Sequence, residues 1–261
     1  ARRAGVVPRR FLEILGGDRL PAGAGSGRLE LAQWLTRPDN PLTARVIVNR
    51  VWQHLFGRGL VETPSDFGVR GQPPSHPELL DYLTAVFIED GWSIKRLQRR
   101  ILSSHVYRLS SEATAEQREL DPSNRWFGRH RRRPLDAESI RDAMLAASGQ
   151  LDQPPSGPHP FPDVSTWNYT IHYPFHAVYE SNHRSIYLMI QRARRHPFLA
   201  LFDAADPNIS TATRQMTITP TQSLYLMNAP FVHTQAAALA ERLLSSCNVK
   251  LQRPDEQQQR A

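Results

Sequence analysis

Asn40-Pro41-Leu42-Thr43-Ala44-Arg45-Val46-Ile47-Val48-Asn49-Arg50-Val51-Trp52-Gln53-His54-Leu55-Phe56-Gly57 is the stretch whose reading decides the fold. It predicts a helix with both ends marked. Asn40 can accept hydrogen bonds from the first free N–H groups, and Pro41 suits the first turn, where its missing N–H costs nothing. Gly57 can take the left-handed conformation that ends a helix. At about 100° per residue, Ala44, Ile47, Val48, Val51, Trp52, Leu55 and Phe56 cover roughly half of the circumference. Leu42 and Val46 fall on the other side, among Arg45, Asn49, Arg50 and His54. A helix this apolar is packed from more than one direction, so it is expected at the centre of the domain with a few polar groups at its margins.

Composition sets wide bounds around that helix. The 261 residues are 40% hydrophobic with five Trp, as in a globular protein with a substantial core, while 21 Pro imply long irregular connections. No apolar run approaches the ~20 residues of a membrane span. Ala1-Arg2-Arg3-Ala4-Gly5 is not followed by the hydrophobic segment of a signal peptide, and the missing initiator Met suggests a fragment of a longer chain. The single cysteine, Cys247, rules out an internal disulfide, a cysteine-rich zinc site and a Cys-x-x-Cys-His haem attachment. A net charge of +7 invites a nucleic-acid reading. Against it, all basic residues except Lys95 and Lys250 are arginine, a bias that GC-rich codons alone can produce, and they are scattered along the chain.

Outward from the central helix, residues 1–27 read as a linker or the end of a preceding module, with Val6–Leu12 as an extended arm. A short helix over Leu29–Thr36 should bury Leu31, Trp34 and Leu35. Arg58–Pro74 is loop, after which Ser75-His76-Pro77-Glu78 has the form of a capping box opening a helix to about Asp90. Ser93 caps the next helix, and Arg96, Arg99 and Arg100 lie on its solvated face. Residues 110–134 read as polar turns. Asp136 caps a helix to about Ser148 with Ile140, Ala143, Met144 and Ala147 inside. Gln150–Arg184, with six prolines and many aromatic residues, reads as a long loop packed on the body. Ser185–Gln191 is the best strand candidate, with Trp167–His172 as its nearest partner. Pro197–Phe202 is a helical turn, Thr219-Pro220 starts a helix through Met227, and Asn228-Ala229-Pro230 starts a last one through about Ser245. The fold class is therefore mainly α, an irregular multi-helix domain with long Pro-rich loops and at most a small β element. Its expected extent is 28–246, followed by a truncated or disordered tail at 247–261.

With the elements placed, the motifs can be compared with known families. Leu42-Thr43-Ala44-Arg45-Val46-x-Val48-Asn49-Arg50-x-Trp52-Gln53-His54-x-Phe56-Gly57-Arg58-Gly59-Leu60-Val61 resembles the signature of domain of unknown function fifteen fifty-three, a planctomycete cytochrome-associated family. So do Pro64-x-Asp66-Phe67-Gly68, Pro74-x-His76-Pro77-Glu78-Leu79-Leu80-Asp81, Leu135-Asp136-Ala137-Glu138-x-Ile140-Arg141-Asp142 and Phe202-Asp203-x-x-Asp206-Pro207-Asn208. The resemblance implies a module of a larger, exported or periplasmic protein, following a second uncharacterised domain. Haem is implied only in a separate cytochrome domain of some members, and none of its attachment residues is present here. The resemblance carries no established activity.

Three groups of residues could form a site. On the central helix, Arg45 and Asn49 are one turn apart, as are Arg50 and His54, so each pair can converge on a carboxylate, phosphate or sugar hydroxyl with His54 as acid or base. The plainer reading is that they bond to loop backbone, for example around Asp66-Phe67-Gly68, because long loops need anchors. Asp203, Asp206 and Asn208, with Arg214, Gln215, Thr217 and Thr219, offer oxygen ligands for Ca²⁺ or Mg²⁺, but in no established spacing, and Asp and Asn beside Pro are ordinary turn residues. His159, His172, His176, His183 and His196 cluster in sequence without a zinc motif. These residues favour an accessory interaction module over a catalytic one. Its partner would be the upstream domain or a polysaccharide, bound through the aromatic loop Pro160–Tyr179. The alternative is a hydrolytic or redox-linked enzyme using Arg45, Asn49, Arg50, His54, Asp203 and Asp206, which requires those side chains to converge.

Overall fold

The computed structural model describes residues 7–155, 181–192 and 195–251. The chain forms two compact units, residues 1–133 and 134–261. Among the described residues the helices are α1 (Arg28–Leu35), α2 (Thr43–Phe56), α3 (Pro77–Glu89), α4 (Ile94–Leu102) and α5 (Ala115–Leu120) in the first unit. The second unit holds α6 (Ala137–Ser148), α7 (Pro197–Leu201), α8 (Pro220–Asn228) and α9 (Pro230–Leu251). The architecture is mainly α.

The first unit is built on α2. It begins two residues later than the sequence suggests, with Leu42 rather than Asn40 at the N-cap, and Asn40 Oδ1 accepts from the N–H groups of Leu42 and Thr43 at 3.0 and 3.2 Å in the turn that leads into it. Gly57 ends it at φ 78°, in the left-handed region. Ala44, Val48, Trp52 and Phe56, four residues apart, are buried against α3 and α4, while Ile47, Val51 and Leu55 widen the contact. Trp52 stacks on Phe56 at 4.2 Å, and Phe127 meets both rings edge-on. Leu80, Leu83 and Phe87 of α3 and Leu97 and Ile101 of α4 complete this core. Burying each such large side chain contributes about 1.5–3 kcal/mol. Ahead of α1, Phe11 stacks flat on Trp34 at 5.0 Å, and the Arg9 guanidinium donates to the carbonyls of Ala24 and Gly25.

Several local expectations are corrected. Leu31 and Leu35 of α1 are exposed, and only Trp34 is buried. The Ser75–Glu78 capping box does not form: the Ser75 hydroxyl meets His76 Nδ1 at 2.9 Å, its N–H donates to the Leu60 carbonyl, and α3 starts at Pro77 without a side-chain cap. Within the expected turns of 110–134 lies α5, opened by a complete capping box between Thr114 and Gln117.

The second unit packs α6 against α7 and α9. Among the described residues its core is Ala137, Leu188, Phe198, Leu199 and Ala204, with Ile140, Phe202, Tyr225 and Phe231 around it. Asp136 caps α6 through Ser139 N–H at 2.9 Å, as its position predicts. The inward face is rotated from the expected one. Ala137, Arg141, Leu145 and Ser148 are buried, whereas Ala143 and Ala147 are exposed. The strand expected at Ser185–Gln191 is instead a 3₁₀ turn, Ser185–Tyr187, with Ile186 and Ile190 in solvent. Ser185 N–H and Oγ both donate to Asp142 Oδ1, at 2.8 and 2.7 Å, so this backbone is satisfied by a side chain rather than a ladder. Thr219 and Gln222 form the capping box that opens α8.

Candidate functional site

The α2 polar residues do not converge on one point. Asn49 is fully buried: its Nδ2 donates to the Val61 carbonyl at 3.0 Å, and its Oδ1 accepts from Val61 N–H at 2.8 Å. One amide side chain thus pairs both polar groups of a buried loop residue, as an anchor would, at Val61 rather than at Asp66–Gly68. Arg45 donates through Nε to Asp81 at 2.7 Å and through Nη1 to the Pro41 carbonyl at 2.7 Å. It lines a cleft of about 500 Å³ with Phe67, Pro73, Pro74 and Leu80, but its charge is matched by Asp81. Arg50 and His54 are exposed, and the His54 carbonyl accepts from Arg133.

In the second unit, Asp203 takes a left-handed φ of 60° and accepts from both N–H and Oγ1 of Thr217, at 2.7 and 2.6 Å. The Thr217 hydroxyl chiefly holds its carboxyl below the usual range. Asp206 Oδ1 accepts from the Asn208 N–H at 2.8 Å, which lowers that carboxyl likewise, and Asn208 Nδ2 reaches the Arg192 carbonyl at 3.1 Å. Arg214 pairs with Glu138 at 2.6 Å. Asp203 and Arg214 border a cavity of about 150 Å³ with Ile140, Phe202 and Met216. Each of these side chains is committed to local structure. Among the described residues no group of three or more His, Cys, Asp or Glu is placed to hold a metal ion. His159, His172 and His176, and the loop Pro160–Tyr179, lie outside the described residues.

A different group is brought together around Arg141. This side chain is 5% exposed and lines a cavity of about 430 Å³ with His196, Tyr225, Phe198, Phe231 and Gln235. Its Nη1 donates to the His183 carbonyl at 3.0 Å and Ser185 Oγ at 3.3 Å, and its Nη2 to the Ser181 carbonyl. The guanidinium stands 5.7 Å from the Phe231 ring centre. Among the described residues the carboxylate paired with it is Asp142, 3.9 Å away and already accepting twice from Ser185. Burial lowers the Arg141 pKa from its ordinary value, the carboxylate acting the other way. Burial, then the charge of Arg141, lower that of His196, so its imidazole is neutral at pH 7, and its Nδ1 has no hydrogen-bond partner among the described residues. Burial raises the Tyr225 phenol. The Ser148 hydroxyl fixes Gln235 through its Oε1 at 2.6 Å, and Gln235 Nε2 turns to Gln150 at 3.3 Å.

The chain matches the family model described as PSD1, protein of unknown function (DUF1553), over residues 27–260. It belongs to that family. No curated protein and no solved structure matches the chain. The match of the DUF1553 chain runs across both compact units, and the motif-bearing residues Asn49, Asp136 and Asp203 turn out to hold backbone. No helix among its described residues is long and apolar enough to cross a membrane.

Arg141 stands in the motif Leu135–Asp142, where nothing in the sequence assigns it a role. The available signal was its position: four residues from Ala137 and from Leu145, it falls on the inward stripe of α6.

Proposed function

We propose that this DUF1553 chain is an accessory binding module of a larger exported protein, and that it takes up a polysaccharide in the cavity of its second unit. The observation that supports this most is the cavity around Arg141. It has the size of a small-ligand site, aromatic walls and a few fixed polar groups, the usual make-up of such sites. A concavity of about 430 Å³ suits single sugar rings better than the flat face of a protein domain. Arg45, Asn49, Asp203 and Asp206 are engaged locally and Arg50 and His54 are exposed, so the convergence that the enzyme alternative requires has no support among these residues.

Binding of the full chain to a glycan array tests the reading. Thr234→Trp, at an exposed position on the cavity wall, should fill the space and abolish the signal while the chain stays folded. Equal binding by wild type and Thr234→Trp contradicts it.

Contact with the upstream domain is a second reading, favoured by another observation. Leu224 and Met227 lie three residues apart on α8, and both are well exposed, as is Ile218 just before it. Large apolar side chains grouped in this way are typical of contact surfaces. A pull-down with the upstream domain that survives Leu224→Asp and Met227→Asp together removes that reading.

A further inference from the structure

We infer that the ligand of the second-unit cavity carries a carboxylate on a ring, and that Arg141 binds this group while the aromatic walls hold the ring. The inference rests on the proposed binding role of the cavity and specifies its chemistry. A guanidinium has five N–H donors in a fixed plane. In Arg141, the described residues take two bonds from Nη1 and one from Nη2, and none accepts from Nε. Among the described residues the buried cation thus keeps unused donors and an incompletely matched charge, since Asp142 is 3.9 Å away and engaged with Ser185. Removing a charge from water is costly unless it is paired. A carboxylate entering from the cavity supplies both missing elements, because its two oxygens match the planar donor pair of a guanidinium.

The other cavity groups fit the same ligand. His196 is neutral and offers no second positive charge, so the charge of the site is suited to one anion. Phe198 and Tyr225 meet edge-on at 5.7 Å, and Phe198 and Phe231 at 6.0 Å, giving rigid apolar walls for a ring face. The Arg45 cleft shows the contrast: there the Nε edge is already closed by Asp81 at 2.7 Å.

Calorimetric titration of the full chain with tri-galacturonate, maltotriose and benzoate tests the assignment. The expected result is binding of tri-galacturonate roughly tenfold or more tighter than maltotriose, as a charged hydrogen-bonded contact implies. Arg141→Gln should remove this preference, and Tyr225→Phe, which keeps the ring wall, should retain it. Should Arg141→Gln fail to fold, the comparison of the three ligands on the wild-type chain decides alone. Binding of benzoate without tri-galacturonate upholds the carboxylate assignment, identifies a free aromatic acid as its source and overturns the polysaccharide reading. Equal binding of tri-galacturonate and maltotriose overturns the carboxylate assignment and leaves the polysaccharide reading standing. Binding of none of the three overturns both.

Discussion

Asn49 in the first unit and Arg141 in the second are both polar side chains on the buried face of a helix, but they are satisfied in different ways. Asn49 is neutral, and its donor and acceptor close on the two backbone groups of a single residue, Val61. Arg141 is charged, donates to three oxygens of the segment 181–185, and lines a cavity without a fully matched counter-charge among the described residues. The first arrangement is complete without a ligand. The second gains from one. The first unit packs Trp52, Phe56, Phe87 and Phe127 into one cluster, and in the second Phe198 meets Phe202, Tyr225 and Phe231.

The contrast can be broken most directly at the first core. Trp52→Ala should cost about 3–5 kcal/mol in denaturant unfolding, because the indole is buried between Phe56 and Phe127. A loss below about 1 kcal/mol would mean that this cluster does not organise the unit. Asn49→Ala comes next, at about 3 kcal/mol, since it leaves the Val61 N–H and carbonyl buried and unpaired. Gly59→Ala attacks the same clamp from outside. A Cβ there would lie 2.5 Å from the Val61 carbonyl oxygen and 2.7 Å from Asn49 Oδ1. The double variant Asn49→Ala/Gly59→Ala should therefore lose less stability than the two single losses added together, and strict additivity would contradict a shared clamp.

Smaller effects sharpen the second half of the comparison. Asp136→Ala removes the cap of the helix that carries Arg141 and should cost about 1 kcal/mol, with Asp136→Asn close to wild type. The lowered pKa of His196 gives a pH signature. Its folded pKa lies below the unfolded value of about 6.5, so the unfolded chain binds the proton more readily. Stability should be constant above that pH, fall as pH drops through about 6.5, and level off below the folded pKa. His196→Gln should flatten this part of the profile, and an unchanged slope would show that the imidazole is not held neutral. Leu224→Gln should alter stability by no more than about 0.5 kcal/mol, as expected for a side chain already in water.

Local features of the sequence were read well. The period of α2, the caps at Ser93, Asp136 and Thr219 and the terminating Gly57 are all decided by residues within one or two helical turns. The strand expectation at Ser185–Gln191 failed for the opposite reason. Its β-compatible side chains suggested a ladder, but its backbone is claimed by Asp142, more than forty residues earlier. The clamp on Val61 spans twelve residues, so Asn49 could be recognised as a loop anchor from sequence while the anchored residue could not. The Arg141 cavity is assembled from α6, the 181–185 segment, α8 and the starts of α7 and α9, and no short motif records that assembly.

The central claim is that the most motif-rich polar residue of α2 holds a loop rather than a ligand, and native-state hydrogen exchange at the Val61 amide tests it most directly. That N–H is 2.8 Å from Asn49 Oδ1 in a residue 2% exposed. Its exchange in the wild-type chain should be among the slowest of the first unit, and Asn49→Ala should accelerate it by orders of magnitude as the loop opens. A Val61 amide that exchanges rapidly in wild type, or one equally protected in both chains, would contradict the account.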